Sequence, residues 1–173
     1  NKAKNFEEWQ AAVALNHIQS FNFVYANRHG DIHFIHNAQL PVRVPGWNWQ
    51  QYLPGDRSDL IWNAYYPTDT LPQVTNPPSG FIHSANQTPF NVTSAAHNPL
   101  KTDAPADGGW QTRMTNRATR GLELFEEFGQ ISDEEVWELK HDNDYSPNYR
   151  GMAFFKKVTG LSATTKTQAQ AIA

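Results

Sequence analysis

The sequence predicts an α+β fold built on an antiparallel hairpin, and three observations carry that reading. Two runs rich in aromatic and branched residues, Phe21–Ala26 and Asp31–His36, flank a polar link, Asn27–Gly30, that ends in glycine. That is the pattern of two strands joined by a short turn. Apolar residues recur at helical spacing before the hairpin and again after Thr112. With 173 residues, 39% of them hydrophobic and 13% aromatic, the chain can bury a core. Its composition fits neither a disordered nor a membrane-spanning segment. A net charge of −3 and a pI near 6.2 give no electrostatic footprint for nucleic acid. Without cysteine there is no disulfide, no thiolate nucleophile and no cysteine-based zinc site.

Each element follows from local signals. Asn5–Ile18 reads as a helix capped by Asn5, with Glu7 and Glu8 in the first turn and Phe6, Trp9, Val13 and Ile18 near one stripe. In the hairpin, Phe21, Phe23 and Tyr25 share one face, and Ile32, Phe34 and His36 lie together on the second strand. Apolar groups on both faces predict a hairpin inside a sheet covered on both sides. Residues 40–78 are dense in Pro, Trp, Tyr and Asn and read as a long, well-packed excursion. Loops of that length are uncommon unless functional. The stretch "NPPSGFIHSANQTP", Asn76–Pro89, follows it. Its prolines and glycine predict a stop, a turn and a short third strand near Phe81–Ser84 that delivers Asn86 at its end. Residues 91–109 read as loop, and Thr112–Phe128 as a helix with a broken stripe of Met114, Leu122 and Phe125 that Gly129 stops. Ser132–Glu135 is a capping-box pattern ahead of a second helix, 142–151 is a polar loop, and Met152–Val158 is a further helical turn. The chain begins at Asn1 and closes in a helix-forming run, 166–173, without a cap. These ends are expected of a piece of a longer polypeptide, with a frayed tail as the plain alternative.

Most chemical candidates have an ordinary explanation. His33 and His36, three apart on a strand, point to opposite faces and do not share a metal. Glu134 and Glu135 serve the cap, and Glu126 and Glu127 lie at a helix end. Asp142, Asn143 and Asp144 resemble the opening of a calcium loop, but no Gly and Glu follow at the required positions. Gly108–Gly109 lacks the Lys-Ser or Lys-Thr of a phosphate loop. The aromatic excursion, with Trp47, Trp49, Trp62, Tyr65 and Tyr66, either packs onto the core or binds a sugar or acyl chain. Asn86 and the arginines Arg113, Arg117 and Arg120 remain. A carboxamide can donate to a developing oxyanion without titrating, and an arginine fork can hold nearby groups in place. Turn chemistry and a solvated helix face are the structural alternatives for the same residues.

Several stretches together resemble one family. "NFVYANRHGDIHFI", "PVRVPGW", "LPGD", "NPPSGFIHSANQTP" and "NRATRGLELFEE" follow in order over 5–144. They resemble the penicillin acylases and acyl-homoserine-lactone acylases, members of the N-terminal-nucleophile hydrolase superfamily. The resemblance implies part of an αββα sandwich with antiparallel sheet. It implies a precursor that cuts itself to expose a serine, whose own α-amino group serves as general base for cleavage of an amide through an acyl-enzyme. By motif position it places oxyanion stabilisation on Asn86 and support of the site on Arg117. Residue 1 is Asn, and Asn27 and Asp31 stand where the family more usually has Asp and Asn.

The expectation is therefore a single partial domain over 1–173, internal to the β-chain of an acylase. The fragment by itself is expected to be inactive. Its partners would be the remaining segments of the precursor, the α-chain and the N-terminal β-chain, and an N-acyl small molecule. No cofactor is expected, although calcium is possible in the intact parent. Localisation would be periplasmic or secreted. The alternatives are a non-catalytic binding module for acyl chains or glycans, and a degenerate acylase homologue.

Overall fold

The computed structural model describes residues 2–18 and 20–160. The chain packs as two compact units, Asn1–Thr112 and Arg113–Ala173. The run 166–173, read as helix-forming, lies outside the described residues.

The first unit is an antiparallel sheet with a helix on one face. Helix α1 spans Phe6–Ala14, and Asn5 caps it by accepting from the Glu8 N–H. It ends earlier than the sequence suggests because Asn16 turns to φ +55°. Ile18 is then outside the helix, and its carbonyl accepts from the Asn37 side chain at 2.7 Å. Strands β1 (Phe21–Ala26) and β2 (Ile32–Asn37) form the expected hairpin, pairing Phe21 with Asn37 through to Ala26 with Ile32. The turn is built on Asn27, whose Oδ1 accepts from the His29 and Asp31 N–H groups. Its amide group donates to the Asp31 carboxylate at 2.7 Å.

The third strand is not where the sequence predicts it. Strand β3 is Gln73–Thr75, inside the aromatic excursion, and it pairs antiparallel with β2. Asn76, at φ +45°, closes this pairing. Its N–H donates to the Ile32 carbonyl, its Oδ1 accepts from the Ile32 N–H, and its amide donates to Asp31. Asn27 and then Asn76 hold the Asp31 carboxyl below the usual carboxylate range. The sheet order β1-β2-β3 puts β2 in the centre, where consecutive His33, Phe34 and Ile35 are all buried. Covering on both sides therefore holds for β2, whereas β1 is an edge strand with Phe21 58% and Val24 50% exposed.

Alternation separates the sheet's two faces. Phe23, Tyr25 and His33 meet α1, with Trp9 centred 4.9 Å from Tyr25 and Phe6 centred 5.1 Å from His33. The other face carries fully buried Phe34, and Val92 and Leu71 are buried in the same unit. The rest of the excursion folds back on itself. Val42 N–H donates to Ala64 and Tyr66 N–H to Leu40, while Trp49 donates to the Val44 carbonyl. Asp107 then ties this excursion to the loop after it, accepting from Tyr66 Oη at 2.9 Å and from the Arg43 backbone N–H at 3.2 Å.

Among its described residues the second unit holds three helices. Helix α2 spans Asn116–Phe128, starting later than expected because Thr115 is its cap. Gly129 stops it at φ +67°. Its buried side is Ala118, Gly121 and Leu124, a stripe of mostly small residues, and not the predicted set. Helix α3, Asp133–His141, carries both bonds of the Ser132–Glu135 capping box. Helix α4 spans Met152–Thr159. Arg120 forms a two-bonded pair with Asp142, at 2.7 and 3.1 Å, so it belongs to the fold and not to a solvated face. Glu123 accepts from Ser146 and Asn148, and Ser146 is fully buried. Among the described residues, no helix is long and apolar enough to cross a membrane.

Burial has a consequence for pH. His33, enclosed by Phe6 and Trp9, is pushed down to about 4 by burial, and burial lowers His36 as well. A histidine kept neutral in the fold binds its proton more readily when unfolded. Its contribution is complete above 6.5 and is lost as pH falls through about 4. Thermal unfolding from pH 7 to 4 should show a falling midpoint, with a shallower fall in His33→Gln. An unchanged slope in that variant contradicts this assignment. The lowered carboxyls of Asp31 and Asp142 act below 3.8, outside that window.

Candidate functional site

The segment Asn76–Pro89 is shaped by its punctuating residues. A turn from Pro77 closes on Gly80, whose φ of +75° suits glycine. Phe81–Ser84 then forms no strand. Side chains take over the backbone bonds that a ladder would supply. The Asn98 carboxamide accepts from the Val92 and Thr93 N–H groups and donates to the Thr93 and Ser94 carbonyls. Thr93 Oγ1 donates to the Phe81 carbonyl, and His83 N–H donates to Val92. Buried backbone groups need such partners, and here amide side chains provide them.

Gln87 is the centre of this loop. It is 4% exposed, and its carboxamide accepts from the Ala85 N–H at 2.5 Å. It donates at 2.9 Å to both the His83 and Asn91 carbonyls. Between the pinned positions 85 and 87 stands Asn86, exposed and at φ +61°. Asparagine tolerates this left-handed conformation better than most residues. Turn chemistry thus explains the backbone at Asn86, and the residue lines a hollow.

That hollow has a volume of about 270 Å³ and lies wholly within the first unit. Asn22, His36, Asn86, Gln87, Trp110 and Gln111 are among the residues that line it. No charged side chain does. His36 Nδ1 is 2.7 Å from Asn22 Oδ1, an oxygen that can only accept, so Nδ1 carries the proton. Asn22 in turn donates to Ser84 Oγ at 3.3 Å. Trp110 stands edge-on to His36 and to Phe90, and its N–H donates to the Pro105 carbonyl. A Cβ at Gly108 would strike the Trp110 ring, so this glycine, which carries no phosphate-loop signature, leaves room for the tryptophan.

Of the two residues singled out from sequence, Asn86 belongs to the first unit and lines this hollow. Arg117 belongs to the second, exposed in the first turn of α2. The reading of His33 and His36 on opposite faces holds, since one meets α1 and the other the hollow. Among the described residues no group of three or more His, Asp or Glu could hold a metal ion. Asp142, at the head of the calcium-like stretch, is engaged by Arg120, so these residues do not fit calcium. The excursion's tryptophans do not line the hollow that holds Asn86.

Asn22, Gln87 and Trp110 were not among the sequence candidates, and His36 was weighed only as a metal ligand. Hairpin register does place Asn22 opposite His36. Nothing local marks Gln87 or Trp110.

The family model described as penicillin amidase matches residues 1–172. The chain belongs to the penicillin amidase family. Penicillin G acylase of Escherichia coli is 33% identical to it over 88 residues, 51% of this chain and 10% of that protein. A solved structure, thermostable penicillin G acylase from Alcaligenes faecalis, superposes with a TM-score of 0.67 at 23% identity. It covers 94% of this chain and 28% of that one. The likeness shows the penicillin acylase fold, of which this α+β chain spans a minor part.

The Gln87 clamp is testable apart from any activity. Gln87→Met keeps the volume but removes the bonds to the Ala85 N–H and to the His83 and Asn91 carbonyls. Each group left unpaired in a buried setting costs about 1–3 kcal/mol. Urea unfolding of Gln87→Met should therefore show a loss of at least that size. A midpoint equal to the parent chain's would show that the clamp is dispensable.

Proposed function

We propose that this chain is the oxyanion-binding portion of an acyl-amide hydrolase of the penicillin acylase type. A serine on another segment of the protein would attack the amide carbonyl, with its own α-amino group as base. Asn86 would donate its carboxamide N–H to the oxygen on which negative charge builds. The observation that supports this is Asn86 at a hollow lined by no charged group, on a backbone clamped by Gln87. In such surroundings a fixed neutral donor acts more strongly than in water, and it needs no proton of its own. Arg117 is proposed to support the site, by resemblance of its helix to that of the family.

The substrate class would be an N-acyl small molecule: a penicillin, an acyl-homoserine lactone or a related linear amide. The other acylase segments are its proposed partners, with periplasmic or secreted localisation. A binding module is less well supported, because the aromatic excursion and the Asn86 hollow do not coincide.

The test is Asn86→Ala in the protein that joins this chain to its serine-bearing segment. Loss of one oxyanion donor lowers kcat by about 10²–10³, with KM little changed. Hydrolysis of N-acyl substrates at the parent rate by Asn86→Ala would overturn the assignment. An intact protein with no acylase turnover at all would favour the degenerate homologue.

A further inference from the structure

We propose that Asn22 is a positioning residue for the Asn86 amide, acting through Ser84, with His36 fixing the orientation of Asn22. The inference rests on the oxyanion role given to Asn86. A carboxamide has two ends of similar shape and opposite hydrogen-bonding sense. At Asn22 the choice is made by His36, whose Nδ1–H donates to Asn22 Oδ1 at 2.7 Å. The NH₂ end is thereby directed to Ser84 Oγ, 3.3 Å away. Asn22 and His36 are cross-strand partners on β1 and β2, so this pair is built into the sheet. Ser84 lies two residues before Asn86, on a stretch that has no ladder of its own. Gln87 holds that stretch to its own loop at His83 and Ala85. Asn22 ties the same stretch to a regular strand. Asn22, His36 and Asn86 line the same hollow. Small displacements of a catalytic donor are costly, so a bond that sets the position of residues 84–86 bears on kcat more than on substrate binding.

The experiment is a set of variants in the protein that joins this chain to its serine-bearing segment, assayed for kcat and KM on an N-acyl substrate. Asn22→Ala and Ser84→Ala should each lower kcat by about 10- to 100-fold, with KM within about threefold. The double variant should be no worse than either single, because both remove one bond. In the Asn86→Ala background, Asn22→Ala should have no further effect. Ser84 is exposed, so Ser84→Ala keeps the test available if Asn22→Ala does not fold. A silent Ser84→Ala, or an Asn22→Ala whose loss multiplies with that of Asn86→Ala, overturns the positioning role and leaves the oxyanion assignment standing. A silent Asn86→Ala overturns both.

Discussion

The site depends on one constraint: backbone groups taken out of water must be paired, and around Asn86 no strand is present to pair them. Side-chain carboxamides do it instead. Asn27 organises the hairpin turn, Asn76 closes β3 onto β2, Asn98 holds 92–94, and Gln87 holds 83–91. Each amide offers an acceptor and donors on one rigid plane, so it can satisfy groups of both kinds at once. Such a loop is held as specifically as a ladder would hold it, yet it is free to adopt dihedrals that a strand forbids.

That freedom is what makes the display of Asn86 possible. A residue in a pleated strand sends its side chain to one face or the other. At φ +61° Asn86 departs from that alternation. Left-handed backbone is uncommon outside glycine and persists where neighbours determine it. Gln87 on one side and the Asn22–Ser84 bond on the other supply that determination. The hollow's chemistry follows from the same choice of residues. With amides, a neutral imidazole, an indole and glycines among its lining, the hollow holds no charged side chain beside Asn86.

Much of this was legible in the sequence where the signal is local. The hairpin, the Asn5 cap, the Ser132–Glu135 box and the Gly129 stop each depend on a few adjacent residues, and each stands where those residues put it. The misread elements depend on distant ones. Phe81–Ser84 has the apolar character of a strand, but its neighbour 91–93 is bonded by Asn98 instead, while Gln73–Thr75 becomes β3 because Asn76 docks on Asp31 and Ile32. Helix α2 hides Ala118 and Gly121, residues too small to register as a stripe. Arg120 looked like a surface cation because Asp142, its partner, is 22 positions away. The penicillin amidase family was readable from short motifs taken together. The clamp at Gln87 was not, since three of its bonds are to backbone and leave no pattern in side-chain type.

The most direct measurement is a crystal structure of the protein containing this chain and its serine-bearing segment, with a phosphonate mimic of the tetrahedral intermediate bonded to the serine. The account predicts the anionic oxygen about 2.7–3.1 Å from Asn86 Nδ2. An anionic oxygen met by other donors alone, with the Asn86 amide turned away from it, would contradict the account.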